Sequence, residues 1–220
     1  TGWYTLSLHD ALPISTIMAQ AHALRRLAGI LAIAAVAGNL ALACLSFTSG
    51  NVNLYVGGWG PHSTLGIEMV CDGLTRLMLL TINLVALAAL VFAGPYMKRF
   101  TRVWLFDALL LLMIGAMNGV VLAGDMFNLF VFLEVAAIAS YALVAFGCEA
   151  AELEAAFKYM VLGTVGSALI FLGIAILYSL TGQLNMAAVH VLLGKIGEGG
   201  PAVALAAAAL LGGLALKAAM

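Results

Sequence analysis

Six long apolar runs, separated by short polar segments, make up most of the sequence. They cover residues 24–47, 69–96, 103–123, 126–147, 157–180 and 201–220. Apolar stretches of about 18 residues or more are long enough to cross a hydrocarbon core about 30 Å thick. The runs do not alternate in polarity as the strands of a membrane barrel do, and lipid then leaves helices as the spanning structure. The pattern predicts an all-α, polytopic transmembrane helical bundle of about six spans.

The segment before the first run does not fit this pattern. Residues 1–16 include Trp3, Asp10 and Pro13, and they form neither a basic segment nor a long apolar one, so they do not resemble a signal peptide. We interpret 1–16 as a non-native or disordered leader and 17–220 as one transmembrane domain. Between the fifth and sixth runs, residues 186–193 are predicted to form a short interfacial helix that carries His190 on its surface.

Basic residues lie at three junctions that fall on one side of the membrane if every run crosses once. These residues are Arg25, Arg26, Lys98, Arg99, Arg102 and Lys158. The opposite loops hold Glu68, Asp125, Lys195 and Glu198. Cytoplasmic loops carry an excess of Lys and Arg, so we predict that the arginine-rich side is cytoplasmic.

The composition supports a lipid environment and excludes several classes of function. Hydrophobic residues make up 65% of the chain and charged residues 9%, whereas soluble domains carry about 25% charged residues. The net charge of -1 gives no basis for a nucleic-acid partner. The three cysteines show no metal-ligand spacing, and there is no phosphate-binding glycine loop or nucleophile elbow. We therefore expect no metal, no cofactor and no bond chemistry in this chain.

Glu134 is the charge that the pattern explains least. It lies about eight residues into the fourth run, close to the middle of the membrane. A charge at that depth costs about 2.5–3.5 kcal/mol on insertion scales, and no cation stands three or four residues away. Desolvation favours the protonated form of a carboxyl group, which can then exchange protons near neutral pH. We predict that Glu134 transfers protons with a partner from another helix; the alternative is a carboxyl that only bonds neighbouring helices.

Lys217 is the second buried charge. It follows Pro201 by sixteen residues, or about 24 Å along a helix axis. A buried lysine loses its proton more readily than one in water. It can also extend its stem to the interface and keep its charge hydrated. From the residues alone, both alternatives stay open.

The remaining charges have local explanations. Asp72 and Arg76 stand four residues apart and are predicted to form an ion pair on one helix face. Asp107, one turn into the third run, is either a proton-entry group or a hydrated charge. Asp125 is predicted to cap the fourth helix. Lys158, at the start of the fifth run, either extends to the cytoplasmic interface or reaches inward towards Glu134.

Small residues indicate where the helices touch. Gly163, Gly166, Ser167 and Gly173 lie in the fifth run and Gly212 and Gly213 in the sixth. Such residues permit close approach of helix backbones in membranes. We predict a packed bundle around Glu134.

Two long segments carry a resemblance to a known family. GDMFNLFVFLEVAAIASYALVAFG, at 124–147, is followed at 154–186 by EAAFKYMVLGTVGSALIFLGIAILYSLTGQLNM. Together with GWGPHSTLGIEMVCDGLTRLMLL at 58–80, they resemble the antiporter-like proton-channel subunits. These are the large membrane subunits of respiratory complex I, the D-type subunits of Mrp cation/proton antiporters and their relatives in membrane-bound hydrogenases. The resemblance covers residues 24–220.

The resemblance implies roles for three charged residues. Glu134 matches the family's essential glutamate, Lys217 its channel lysine on a broken span, and Lys158 a lysine at the start of the next span. The first two are expected to act as a coupled pair. The family has about fourteen spans arranged as inverted repeats. We therefore expect an N- and C-terminally truncated fragment that contains an incomplete first repeat.

Three hypotheses follow for the whole protein. The first is a proton-translocating subunit of an NADH-quinone oxidoreductase-type respiratory complex, whose redox centres lie in other subunits. The second is the D-type subunit of an Mrp-type sodium/proton antiporter. The third is a non-conducting membrane anchor of a hydrogenase-type complex. All three imply other membrane subunits and lipid as partners and a multi-pass location in a bacterial or archaeal plasma membrane. The first two imply protons, or also Na⁺, as the transported ion.

Overall fold

The computed structural model describes residues 11–56, 67–97, 103–196 and 200–218, with side chains from Gly29 onward. The described residues form seven helices and one hairpin. The helices are α1 (Ala11–Ser46), α2 (Gly73–Tyr96), α3 (Val103–Leu122), α4 (Met126–Val144), α5 (Ala150–Thr181), α6 (Met186–Ile196) and α7 (Pro201–Lys217). The hairpin strands, β1 (Val52–Val56) and β2 (Ile67–Cys71), lie between α1 and α2.

The predicted helical membrane bundle is confirmed. Five helices, α1 to α5, are long and apolar enough to cross a membrane. The sixth apolar run forms α7, an apolar helix of 17 residues. Large apolar side chains such as Leu31, Phe92 and Leu211 are exposed on the outside of the bundle, where lipid would contact them. The predicted interfacial helix is α6, on which His190 is exposed.

Several expectations fall on residues outside the described ranges. These are residues 1–10 of the leader, the cations Lys98, Arg99 and Arg102, and Glu198. Residues 11–16 belong to the backbone of α1, and the side chains of Arg25 and Arg26 are not described. The cytoplasmic assignment of the arginine-rich side therefore stays a prediction.

The hairpin was not predicted. β1 and β2 pair antiparallel, from Val52 opposite Cys71 to Val56 opposite Ile67. The second run was predicted to begin at residue 69, but that residue lies in β2. Asp72 then ends the strand and caps α2, since its Oδ1 accepts from the Thr75 backbone N–H at 2.8 Å. A short apolar run cannot be assigned to strand or helix from periodicity alone.

Two groups of helices pack within the bundle. α1, α2 and α3 share an apolar core that includes Val36, Leu90 and Ile114. Within this group Asn83 of α2 and Asn118 of α3 exchange side-chain hydrogen bonds of 3.0 and 3.3 Å. Helix α4 packs on α3 and joins this group to α5 and α7. The charged residues of the fourth and sixth runs lie in this second group.

Candidate functional site

Glu134 and Lys217 form an ion pair between two helices. Glu134 lies in the third turn of α4, and Lys217 is the last residue of α7. The Lys217 Nζ donates to the Glu134 Oε1 at 2.6 Å, and the two side chains are 12% and 30% exposed, respectively. The expectation that the partner of Glu134 comes from another helix is confirmed. Lys217 directs its ammonium to this carboxylate instead of extending it towards an interface.

Ser167 of α5 completes the site. Its hydroxyl lies 2.6 Å from the Glu134 Oε1 and 2.9 Å from the Gly163 carbonyl oxygen. A hydroxyl carries one proton, so it donates to one of these acceptors at a time. From its sequence pattern Ser167 was assigned to helix packing, and its contact with Glu134 was not predicted. The sequence feature that could have indicated this contact is the hydroxyl of Ser167 in an apolar span, one helical turn after Gly163 on the same helix face.

A seam of glycines brings Lys217 to this position. A Cβ placed on Gly213 of α7 would lie 2.6 Å from the Gly166 carbonyl oxygen of α5, so the two backbones touch. Gly173 approaches the Ala206 carbonyl oxygen in the same way, at 2.9 Å. Lys217 follows Gly213 by one helical turn and therefore lies on the face that meets α5. The predicted role of small residues is confirmed here, although Gly212 does not belong to the seam.

An open cavity of about 330 Å³ adjoins the ion pair. Lys217, Ser140, Tyr141 and Tyr159 supply its polar lining, and apolar side chains supply the rest. The two tyrosine rings meet edge to face with centroids 4.7 Å apart, and the Ser140 Oγ lies 3.4 Å from the Tyr159 Oη. Because Tyr141 follows Glu134 by two turns, the cavity lies towards the end of α4 that is predicted to be cytoplasmic. It provides space for water beside the Lys217 ammonium.

Lys158 does not reach the ion pair. Its Nζ contacts the Glu154 Oε1 of the preceding turn at 2.5 Å, and the two side chains are 68% and 66% exposed. The sequence left open whether Lys158 extends outward to the interface or inward to Glu134, and in the structure it extends outward. An exposed pair at this spacing contributes only about 0.3–0.5 kcal/mol to stability.

The prediction that Asp72 and Arg76 form an ion pair was wrong, because each side chain binds backbone groups instead. Asp72 is used as the N-cap of α2, and the Thr75 backbone N–H that it binds lowers the pKa of its carboxyl. Arg76 is 8% exposed and donates through Nη2 to the carbonyl oxygens of Gly50, at 2.5 Å, and Cys71, at 3.4 Å. As an N-cap, Asp72 binds a backbone N–H that has no acceptor within the helix. Arg76 instead connects α2 to the two ends of the hairpin through its bonds to Gly50 and Cys71.

Two further acidic residues, Asp107 and Asp125, do not contact the ion pair. Asp107 lies in α3, half-buried near Gly29 of α1, and it makes no ion pair within the part of the chain that the structure describes. Its role as a proton-entry group stays a prediction. Asp125 caps α4 as predicted, since its Oδ1 accepts from the Asn128 backbone N–H at 2.7 Å.

Removal of the Ser167 hydroxyl is expected to weaken the site without destroying it. A hydrogen bond to a charged group contributes about 1.5–3 kcal/mol, so Ser167→Ala is expected to lower any activity that depends on Glu134 by roughly 10- to 150-fold. The matched control is Ser179→Ala on the same helix, whose hydroxyl donates to the Ile176 carbonyl oxygen on the exposed face. Rates should be measured as proton flux into vesicles. Equal proton flux in the two variants would mean that the Ser167 hydroxyl does not contribute to the function of Glu134.

Comparison with known proteins identifies relatives of this chain. Residues 123–220 match the model of a family described as "NADH:quinone oxidoreductase/Mrp antiporter, TM". The NADH-quinone oxidoreductase subunit N of Desulforudis audaxviator is 40% identical over 196 residues, which are 88% of this chain and 38% of that relative. The D-type subunit of an Na⁺/H⁺ antiporter of Alkalihalophilus pseudofirmus is 32% identical over 84% of this chain and 37% of the relative. The chain therefore spans less than half the length of these curated relatives.

Solved structures with the same arrangement include three multi-subunit membrane complexes. A chain of an archaeal membrane-bound sulfane sulfur reductase superposes with a TM-score of 0.78 and 30% identity, over 85% of this chain and 38% of that one. A chain of the Mrp complex from a Dietzia species gives 0.76 and 28%, over 95% and 40%. A chain of respiratory complex I from Thermus thermophilus gives 0.70 and 27%, over 93% and 42%.

Proposed function

Since this chain belongs to the family of antiporter-like membrane subunits shared by NADH:quinone oxidoreductases and Mrp antiporters, we propose that it carries protons across part of the membrane. The observation that carries the proposal is the ion pair of Glu134 and Lys217, with its 2.6 Å contact inside a helical bundle. Charges inside a membrane are costly and mark ion pathways and proton relays. Both members of this pair can gain and lose a proton.

The geometry supports a coupled proton transfer. A proton that leaves the Lys217 ammonium towards the Glu134 carboxylate neutralises both groups, and this lowers the cost of holding them out of water. When Glu134 then passes this proton on, its restored carboxylate stabilises the ammonium that Lys217 regains by taking a proton from water in the adjoining cavity. The adjoining cavity supplies the space for water on the Lys217 side. In this proposal Lys158 belongs to the cytoplasmic end of the route, because its ammonium is bound to Glu154 at the exposed start of α5.

The proposed parent assembly is an NADH-quinone oxidoreductase-type complex in a bacterial or archaeal plasma membrane, in contact with other membrane subunits and lipid. The 40% identity over 88% of this chain to an oxidoreductase subunit N supports this choice. The 32% identity to the D-type subunit of an Na⁺/H⁺ antiporter supports the alternative. Proton flux that requires Na⁺ on the opposite side of the membrane would favour the antiporter. The third candidate, a membrane anchor with inert charges, predicts no flux through this pair.

The test is a replacement of Lys217 that keeps its charge but prevents proton release. Arginine is not deprotonated in proteins, so Lys217→Arg preserves a positive partner for Glu134 and is expected to slow proton translocation by at least about tenfold. The measurement is proton flux in liposomes that contain the assembled complex. Lys195→Arg is the matched control, because Lys195 is exposed on α6. Unchanged flux with Lys217→Arg would favour the anchor over the channel.

A further inference from the structure

A second pair of acidic side chains is buried where the hairpin meets the start of α4. Glu68 of β2 is 5% exposed and Asp125 is 3% exposed. The backbone joins them, since the Gly124 N–H donates to the Glu68 carbonyl oxygen at 2.8 Å. This cluster lies at the N-terminal end of α4, opposite the end that adjoins the tyrosine-lined cavity.

The Glu68 carboxylate is surrounded by donors. The Asn53 amide donates to its Oε1 at 2.9 Å, and the Asn185 amide donates to its Oε2. Tyr55 of β1 also hydrogen-bonds this carboxylate, which raises the pKa of the tyrosine. Hydrogen bonds to a carboxylate favour its charged form. The Glu68 side chain also lines an open cleft of about 660 Å³ with Asn53, Tyr55 and Asn185, and this cleft connects it to solvent.

Asp125 has the opposite surroundings. Its Oδ1 accepts from the Asn128 backbone N–H, but its Oδ2 is buried and has no hydrogen-bond partner. Burial raises the pKa of this carboxyl and the negative charge of Glu68 adds to that rise, whereas the backbone N–H groups of Asn128, Glu68 and Phe127 act in the opposite direction. Among the described residues, no lysine, arginine or histidine forms an ion pair with either carboxyl.

From these contacts we propose that Asp125, held beside Glu68, is a second proton-binding site at the N-terminal end of α4. Two adjacent buried carboxyls without a cation cannot both stay ionised at low cost. The Glu68 carboxylate accepts hydrogen bonds from Asn53 and Asn185, whereas the Asp125 Oδ2 has no donor, so the proposal places the proton on the Asp125 Oδ2. Proton binding converts the Asp125 carboxylate to a carboxylic acid. Proton release restores the carboxylate and transfers the proton to water in the cleft that Glu68 lines.

The site lies on the same helix as the ion pair. Asp125 precedes Glu134 by nine residues, which is about 13 Å along the axis of α4. Between them the Asn128 side-chain Nδ2 is buried and has no acceptor. A donor without an acceptor and an acceptor without a donor in one helical turn are the partners that a bridging water requires. This inference rests on the proposed function, because it places Asp125 between Glu134 and the solution on that side.

The test uses Asp125→Asn in the assembled complex. Asparagine is as good an N-cap as aspartate, so α4 keeps its cap while the titrating group is removed. We expect infrared spectra recorded against pH to lose one protonated-carboxyl band at neutral pH, and proton flux into liposomes to fall by about tenfold. Asp72→Asn is the matched control: Asp72 caps α2 through an equivalent 2.8 Å bond, and that bond lowers the pKa of its carboxyl. The control should change neither measurement.

A second variant separates a proton site from a structural one. Glu68→Gln removes the negative charge beside Asp125, so the protonated-carboxyl band is expected to titrate at lower pH. A purely structural role for Asp125 predicts no shift. The inference is overturned if Asp125→Asn leaves the band in place, or if the band disappears while flux stays at the wild-type rate. If Glu134→Gln leaves flux unchanged while the Asp125 band persists, the proposed function fails and proton binding at Asp125 stands.

Discussion

Replacing Glu134 with glutamine is expected to lower proton translocation by at least about 100-fold, the contribution typical of a positioned acid–base group. The amide oxygen can still accept from Ser167 and Lys217, so the 2.6 Å contacts of the site have a replacement acceptor. The amide cannot take up a proton. A loss of flux in this variant therefore reports the loss of proton transfer, because the packing of the site is preserved. The measurement is proton flux in liposomes that contain the assembled complex.

Two further variants sharpen this result. Glu134→Asp keeps a titrating carboxyl on a shorter stem and is expected to retain part of the flux. The double variant Glu134→Gln with Lys217→Met should be no slower than Glu134→Gln alone, because residues that act as one unit are not additive. A wild-type rate in Glu134→Gln would mean that the charge pair is inert and the chain an anchor.

Replacing Gly213 with alanine is expected to separate α7 from α5. The added Cβ would lie 2.6 Å from the Gly166 carbonyl oxygen and 2.9 Å from the Ile170 backbone nitrogen. Both are backbone atoms that cannot turn aside, so we expect a loss of about 1–3 kcal/mol in the free energy of unfolding. Since Lys217 lies one turn beyond this contact, its ammonium should also move away from Glu134, and flux should fall together with stability.

The adjacent glycine supplies the control. A Cβ on Gly212 would meet only the Leu169 Cδ1, at 4.0 Å, which is ordinary contact. Gly212→Ala should therefore leave both thermal unfolding in detergent and proton flux close to wild type. If the two alanine variants are equally stable and equally active, the glycine seam does not position Lys217.

Residues at the ends of elements show where reasoning from the sequence fails. Asp72 and Arg76 have the spacing of an ion pair, yet the structure uses one as a cap and the other as an anchor for the hairpin. Spacing along a helix defines which side chains share a face, but Asp72 lies before the helix begins. The hairpin itself depends on pairing between residues 52–56 and 67–71, and such pairing leaves no periodic signal in so short a segment.

The lipid environment of this protein, the helical class of its bundle and the positions of its buried charges all follow from the sequence without coordinates. Length and hydropathy are local properties, and an acidic residue such as Glu134 in an apolar run is visible without coordinates. The three-dimensional packing was needed to establish which charges meet: Lys217 and Ser167 at Glu134, Glu154 at Lys158, and Glu68 beside Asp125. Lys217 and Glu134 are 83 residues apart in sequence, and the packing of α7 on α5 through the glycine seam brings Lys217 to its partner.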